Sequence, residues 1–320
     1  MLLQLLRSAF RGRSHLSADS APPAQVQSLA QPAPDAKAWT PSAAGAADLM
    51  RNIESFHHLT HLHYQATCWS IRRDILAEPR NAAPLRLEPF GYKVYSQSDE
   101  DGYIAEIFQR IGVTNRCCVE IGAGDGQENN SVTLLMQGWT VKWLEAQSAL
   151  ARVAQERFGE MLRDGRLAVI DALIDRDNLP ALLASLNLPA EPDLLSIDID
   201  GNDYHVWKAV ASIRPRVVVI EYNAKYPPPI EWVMPYDARH GWDGSDHVGA
   251  SLQSLTNLAA EKGYALVGCN ITGVNAFFVR NEFAADRFQR PYTAANHYHP
   301  ARYFLANSFI SGHPPSLRYL

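Results

Sequence analysis

The segment Cys118-Val119-Glu120-Ile121-Gly122-Ala123-Gly124-Asp125-Gly126 constrains this chain more than any other. A short apolar run meets an acidic residue and then three glycines at alternate positions. Apart from Ile121 nothing bulky flanks them, so a ligand can lie against bare backbone. A bend of this kind after a first β-strand is where α/β proteins hold an adenosyl group. A dinucleotide fingerprint, G-x-G-x-x-G, needs glycine at 127, and the chain has Gln127 there. The bland alternative is a glycine-rich turn with no ligand.

Alternation of apolar runs and helical patterns follows. Strands are expected at 117–121, at Thr140–Leu144 leading into Glu145, at Leu167–Ile170 leading into Asp171, at Leu194–Ile199, and at Val217–Ile220 leading into Glu221. Asn130 or Ser131 is placed to cap a helix over Val132–Gln137, with Gly138 as its stop. A helix from Ser251 to Lys262 stops at Gly263, and Tyr264–Cys269 and Asn275–Val279 read as an antiparallel pair. Repeated strand–helix units closed by a hairpin predict a mostly parallel α/β sheet with helices on both faces. Ligands in such sheets bind at the carboxyl ends of the strands. Carboxylates gather there, either as a polar site or as ordinary loop solubility.

Two clusters carry the chemistry. Glu145 stands some twenty residues after Gly122, where a carboxylate can accept hydrogen bonds from two ribose hydroxyls. Asp171 can reach an adenine amino group or simply face solvent. In Ser196-Ile197-Asp198-Ile199-Asp200-Gly201-Asn202-Asp203-Tyr204-His205, Asp198 and Asp200 are two apart, so in a strand both point the same way. Paired carboxylates repel unless a proton, a cation or donors separate them. Glu221 ends the adjacent strand and supplies a third oxygen ligand beside Asp198 and Asp200 if the cluster holds Mg²⁺. The alternative sets Asp198 on a ligand ammonium and Asp200 and Asp203 on acceptor hydroxyls. His205 falls in the first turn of the next helix, with Asn202 as its cap. A helix N-terminus disfavours the imidazolium, so His205 is either a neutral base for an alcohol or a surface histidine.

The flanks say less. Residues 1–16 are basic and apolar with no acid: a targeting peptide, an amphipathic helix on a membrane surface, or a frayed tail. Residues 17–45, rich in Ala, Pro, Ser and Gln, read as a disordered linker. Residues 46–90 read as a helical extension, with Leu49, Ile53, Phe56, Leu59 and Leu62 at helical spacing. His57 and His61 stand four apart there, which is either metal-ligand spacing or a His-rich polar face. Residues 91–282 form the main domain and 283–320 a C-terminal extension. The insert 224–248, with Trp232, Tyr236, Trp242 and His247, forms either a substrate wall or a minor core. The C-terminal extension, with Tyr298, Tyr303 and His313-Pro314-Pro315, either folds back over the site or mediates oligomerisation. The formal charge of −5 argues against a nucleic-acid partner. Four cysteines with no C-x-x-C pair suggest a reducing compartment, and the adjacent Cys117 and Cys118 in an apolar strand read as core residues. The chain is expected in the cytoplasm, free or held at a membrane through residues 1–16, with organelle targeting as a further alternative.

Taken together these landmarks resemble the FkbM-like family of S-adenosylmethionine (SAM)-dependent methyltransferases. An acidic residue followed by G-x-G-x-G is similar to motif I of that class. Further landmarks in order are Ser96–Gly102, Gly138-Trp139, Leu144-Glu145-Ala146, Asp198–Tyr204, Val219–Asn223, Gly249–Leu252 and Asn275–Val279. The resemblance implies a Rossmann-like class I fold with a seven-stranded sheet. It implies O-methylation of a sugar, glycan or polyketide-like hydroxyl, with SAM as cofactor. Cofactor contacts are expected at Glu120, Gly122, Gly124, Gly126, Glu145, Asp171 and Asp198. Related antibiotic-sugar enzymes place two consecutive Asp after strand 5, where this chain has Glu221-Tyr222. Asp200, His205 and Asp203 are the candidates around the acceptor. The rivals are a non-catalytic SAM-binding scaffold or assembly factor and a nicotinamide-dependent reductase.

Overall fold

The computed structural model describes residues 43–309. The expectations for residues 1–16, for 17–42 and for His313-Pro314-Pro315 lie outside them. Contacts divide the chain after Tyr64. Helix α1 (Ala43–Ala77) runs across that division. In its first part Leu49, Ile53, Phe56, Leu59 and Leu62 are exposed.

The second unit is built on one sheet. Its strands are β1 (Cys117–Ile121), β2 (Thr140–Glu145), β3 (Leu167–Asp171), β4 (Leu194–Ile197), β5 (Val217–Glu221), β6 (Tyr264–Cys269) and β7 (Asn275–Arg280). They lie in the order β3-β2-β1-β4-β5-β7-β6. The first five are parallel, and β7 runs antiparallel between β5 and β6. This is the expected seven-stranded sheet of the Rossmann-like class I methyltransferase architecture. The order steps outward from β1 in both directions, so the ends of β1 and β4 flank the crevice where such sheets take ligands.

Side-chain alternation sorts the core into two layers. Cys118, Leu194, Val217, Val219, Phe277 and Val279 face one layer; Val119, Ile121, Leu195, Ile197, Val218, Ile220 and Phe278 face the other. The first layer is covered by α2 (Glu100–Ile111), α3 (Val132–Met136), α4 (Ser148–Arg157) and α5 (Gly159–Arg163). The second is covered by α6 (Leu179–Ser185), α7 (Asp203–Ala209) and α8 (Leu252–Lys262). Both strand faces are therefore apolar, as buried parallel sheets require. Short helices α9 (Asn281–Ala284) and α10 (Ala294–His297) follow β7.

Capping differs in part from the sequence expectation. Ser251 caps α8, accepting from Ser254 N at 3.2 Å, and Gly263 ends that helix in the left-handed conformation, φ 80°. Ser131 occupies the N-cap position of α3 but donates to Glu120 instead of capping. Asn202 precedes α7, yet its side chain bonds the backbone of Asp237 rather than the helix. Cys68, Cys117, Cys118 and Cys269 are free and buried. Among the described residues no helix is long and apolar enough to cross a membrane.

Candidate functional site

The three glycines of the bend all have positive φ, at 87°, 57° and 84°. Their surroundings give them three different tasks. A Cβ on Gly122 would stand 2.7 Å from the Asp198 carbonyl carbon and nearer still to its oxygen, so this glycine lets β1 and the end of β4 close together. A Cβ on Gly126 would meet the rings of Phe158 and Trp143, the latter at 3.1 Å, so this one belongs to the core. Gly124 alone faces open space, with nothing within 4 Å. The bare face of the bend is at Gly124.

Glu145 points at that surface. Its Oε2 accepts the Gly124 N–H at 2.6 Å and its Oε1 accepts the Gln147 N–H at 2.7 Å. Each carboxylate oxygen keeps a second lone pair. A nucleoside lying on Gly124 would find two acceptors beside it. Asp171, paired in register with Glu145 at the end of β3, is exposed and accepts from Ser148 Oγ at 3.0 Å.

Glu120, at the end of β1, holds the loop that follows the glycines. It is 5 % exposed, one oxygen takes the Asn130 N–H at 2.8 Å, and the other takes the Ser131 hydroxyl. Trp143 Nε1 donates to the same hydroxyl at 2.7 Å. Burial raises the Glu120 carboxyl above the usual range, and the Ser131 and Asn130 donors offset only part of that rise. Glu120 thus ties the loop after the glycines to the start of α3.

The second cluster forms by a route the sequence did not show. β4 ends at Ile197, not Ile199, and Asp200 takes φ 53°. The strand alternation that was to align Asp198 and Asp200 is therefore absent. The turn brings them together anyway: Asp198, Asp200 and Glu221 each offer an oxygen, all within 4.8 Å of one another. Asp203 shapes the turn, accepting Ile199 N–H and Gly201 N–H, both at 2.9 Å. Burial, then the neighbouring charges of Asp200 and Asp203, drives the Asp198 carboxyl well above the usual range. Glu221 is driven up by burial first, then by Asp198, Asp200 and Asp203. Three close carboxylates cannot all stay ionised without a proton or a cation among them. Hard oxygen donors in this number suit Mg²⁺. Among the described residues this is the one grouping of at least three His, Cys, Asp or Glu that could hold a metal, and neither His57 nor His61 belongs to it.

His205 is in the first turn of α7, as expected. Its Nε2 is 2.8 Å from the Met234 carbonyl, which leaves Nδ1 as the nitrogen able to accept a proton. One further residue at this edge escaped the sequence reading. His240, in the 224–248 insert, lies against Gly201 and meets the Asp200 carbonyl at 3.1 Å. Glu100 accepts from Ser98 N–H at 2.7 Å and from Asn270 Nδ2 at 2.7 Å, so the acidic first turn of α2 is tied to the β6–β7 turn. Burial, then the charges of Glu221 and Tyr298, pushes the Tyr303 phenol up to about 12. The bare Gly201 in Asp-Gly-Asn-Asp was the one available signal for His240.

No family profile matches the sequence, and no curated protein matches it. The chain is similar at low identity to several solved structures. One is the magnesium protoporphyrin IX methyltransferase ChlM from Synechocystis PCC 6803 with bound S-adenosylhomocysteine (SAH), at 13% identity, TM-score 0.39, over 57% of this chain and 83% of that one. Another is an O-methyltransferase from Bacillus cereus in complex with SAH, at 18% identity, TM-score 0.37, over 68% and 89%. A third is the glycopeptide N-methyltransferase MtfA complexed with SAH, at 13% identity, TM-score 0.36, over 56% and 86%. The architecture itself is defined by the strand order and register. It is that of an α/β protein of class I methyltransferase topology, with an acidic carboxyl edge beside a bare glycine bend.

Proposed function

We propose that the chain is a SAM-dependent methyltransferase acting on a hydroxyl of a sugar, glycan or polyketide-like acceptor. The observation that carries this reading is the Glu145 carboxylate held against the open face of Gly124. Ribose hydroxyls donate to Glu145 while the nucleoside lies on the Gly124 backbone. The sulfonium and ammonium of SAM are cations, and the acidic edge around Asp198 attracts both. The acceptor hydroxyl sits toward Asp200, attacks the methyl carbon in line, and SAH leaves as the S–CH₃ bond breaks. The sulfonium is already activated, so alignment and proton removal are what the protein supplies. Asp200 is the candidate for the proton, with His205 Nδ1 as a second base on α7 and Asp203 fixing the turn.

Mg²⁺ fits the oxygen donor set of Asp198, Asp200 and Glu221 and, when bound, would favour the ionised form of a coordinated hydroxyl.

Titration calorimetry with SAM, SAH and NADPH tests the cofactor half, with SAM and SAH expected to bind and NADPH not. Incubation with methyl-labelled SAM and a cell-envelope glycan extract tests the acceptor half. Binding of SAH with no labelled product would favour the scaffold alternative, and tight NADPH binding would end the methyltransferase reading.

A further inference from the structure

The histidine that touches the acidic turn is not the one adjacent to it in sequence. His205 gives its Nε2 to the Met234 carbonyl, and its ring packs edge-on against Tyr204 and Tyr236 at 5.5 and 5.4 Å. His240 instead lies on the bare face of Gly201, where an added Cβ would come 2.8 Å from Nε2 and nearer still to Cδ2. Its Nε2 is 3.1 Å from the Asp200 carbonyl oxygen. A carbonyl only accepts, so the ring donates from Nε2.

The backbone carrying His240 is fastened to the same turn. Asn202 Nδ2 donates to the Asp237 carbonyl at 2.7 Å, and His240 N–H donates to that carbonyl at 3.0 Å. Gly249 N–H donates to the Gly201 carbonyl at 3.0 Å. The turn needs such support. Asp200 is a non-glycine residue at φ 53°, a conformation costing about 1–2 kcal/mol. Strain of this kind persists only where the surroundings over-determine it. Asp203 braces the turn through the N–H groups of residues 199 and 201, and His240 braces it through the opposite, carbonyl side.

We propose that His240 is a positioning residue for the acceptor half of the site: seated on Gly201 and bonded to the Asp200 carbonyl, it holds Asp200 left-handed, with its carboxylate gathered to Asp198 and Glu221. Only the catalytic consequence rests on the methyltransferase reading. The bracing itself is a property of the fold and has its own readout.

Amide hydrogen exchange on the full chain is that readout. In His240→Ala the amides of Gly201 and Gly249 exchange at least about tenfold faster, because their local opening is no longer opposed by the ring. His240→Gln, whose side-chain amide can donate to the same carbonyl, restores most of the protection. Gly201→Ala, which displaces the ring from the other side, gives the same pattern with His240 intact. His205→Ala leaves these two amides within about twofold of the wild type. The proposal is overturned if His240→Ala leaves them unchanged, if His205→Ala loosens them equally, or if exchange accelerates across β1 and β5 as well. For catalysis, His240→Ala keeps SAH affinity in calorimetry but loses at least about tenfold in methyl transfer from labelled SAM to the glycan extract, with His240→Gln recovering most of it. A wild type that binds no SAH would sink the methyltransferase reading and leave the exchange result standing.

Discussion

The same substitution at two glycines of one motif should give opposite phenotypes. In Gly122→Ala the new Cβ is driven into the carbonyl of Asp198, a backbone group that cannot swing aside. The φ of 87° adds strain of its own. Overpacking and left-handed strain together cost about 3–5 kcal/mol, and at 2–4 °C per kcal/mol the melting temperature falls by roughly 10 °C. In Gly124→Ala the φ of 57° lies inside the left-handed region open to L-residues, and the Cβ meets nothing within 4 Å. Only the conformational term of about 1 kcal/mol remains, so melting shifts by about 2–4 °C. That Cβ, however, occupies the surface on which the nucleoside would rest. Losing one well-made contact layer weakens SAH binding about tenfold or more, equivalent to about 1.4 kcal/mol. Thermal unfolding and SAH titration calorimetry on both variants separate the two effects. A Gly124→Ala protein with wild-type SAH affinity would refute the assignment of the bare face, and a Gly122→Ala protein as stable as wild type would refute the close-approach argument.

Glu145→Ala removes two acceptors from the ligand, each worth about 1.5 kcal/mol or more as a hydrogen bond to a charged group, so calorimetry should show SAM affinity down by about 100-fold. Asp200→Ala should reduce labelled-methyl transfer to the glycan extract far more than it reduces SAH affinity; equal losses would move Asp200 to the cofactor half. Glu221 has a folded pKa raised above its unfolded value. The folded state then holds its proton longer, so stability falls as pH rises from the ordinary carboxylate range upward. Glu221→Gln should therefore raise the melting temperature at about pH 8 and change little near pH 4. Millimolar Mg²⁺ should stabilise the wild type at the higher pH and have a smaller effect in Glu221→Gln; an identical shift in both would remove Glu221 from the cation site.

The fold was legible because its signals are local and redundant. Every strand showed as a short apolar run with a polar stop, and all seven formed. Their ends moved by a residue or two, and the largest change has a clear cause. Apolar alternation through Ile197 and Ile199 suggested a longer β4, but Asp203 captures the N–H groups of residues 199 and 201 and curls the chain away. Of the site, the residue types were readable and their tasks were not. Motif spacing cannot tell Gly124, which faces open space, from Gly126, which faces Phe158. Nor does it reveal that the Glu120 carboxylate accepts from Asn130 and Ser131. His240 was out of reach because its contact with Gly201 joins two loops far apart in sequence, and no periodic pattern records such a pairing.

One small clasp has a larger consequence. Asn223 Nδ2 holds the carbonyls of Asp246 and Val248, both at 2.9 Å, while its Oδ1 takes the Lys225 N–H at 3.1 Å. A single bridge between Val233 and Ala250 closes the neck further. The chain between these points works as a cassette with a sealed mouth. Doubling the length of such a loop costs only about 0.6 kcal/mol in closure entropy. The sheet and the glycine bend would hardly register a change in its length, so long as Asp237 and His240 keep their hold on the turn at Asp200–Asn202.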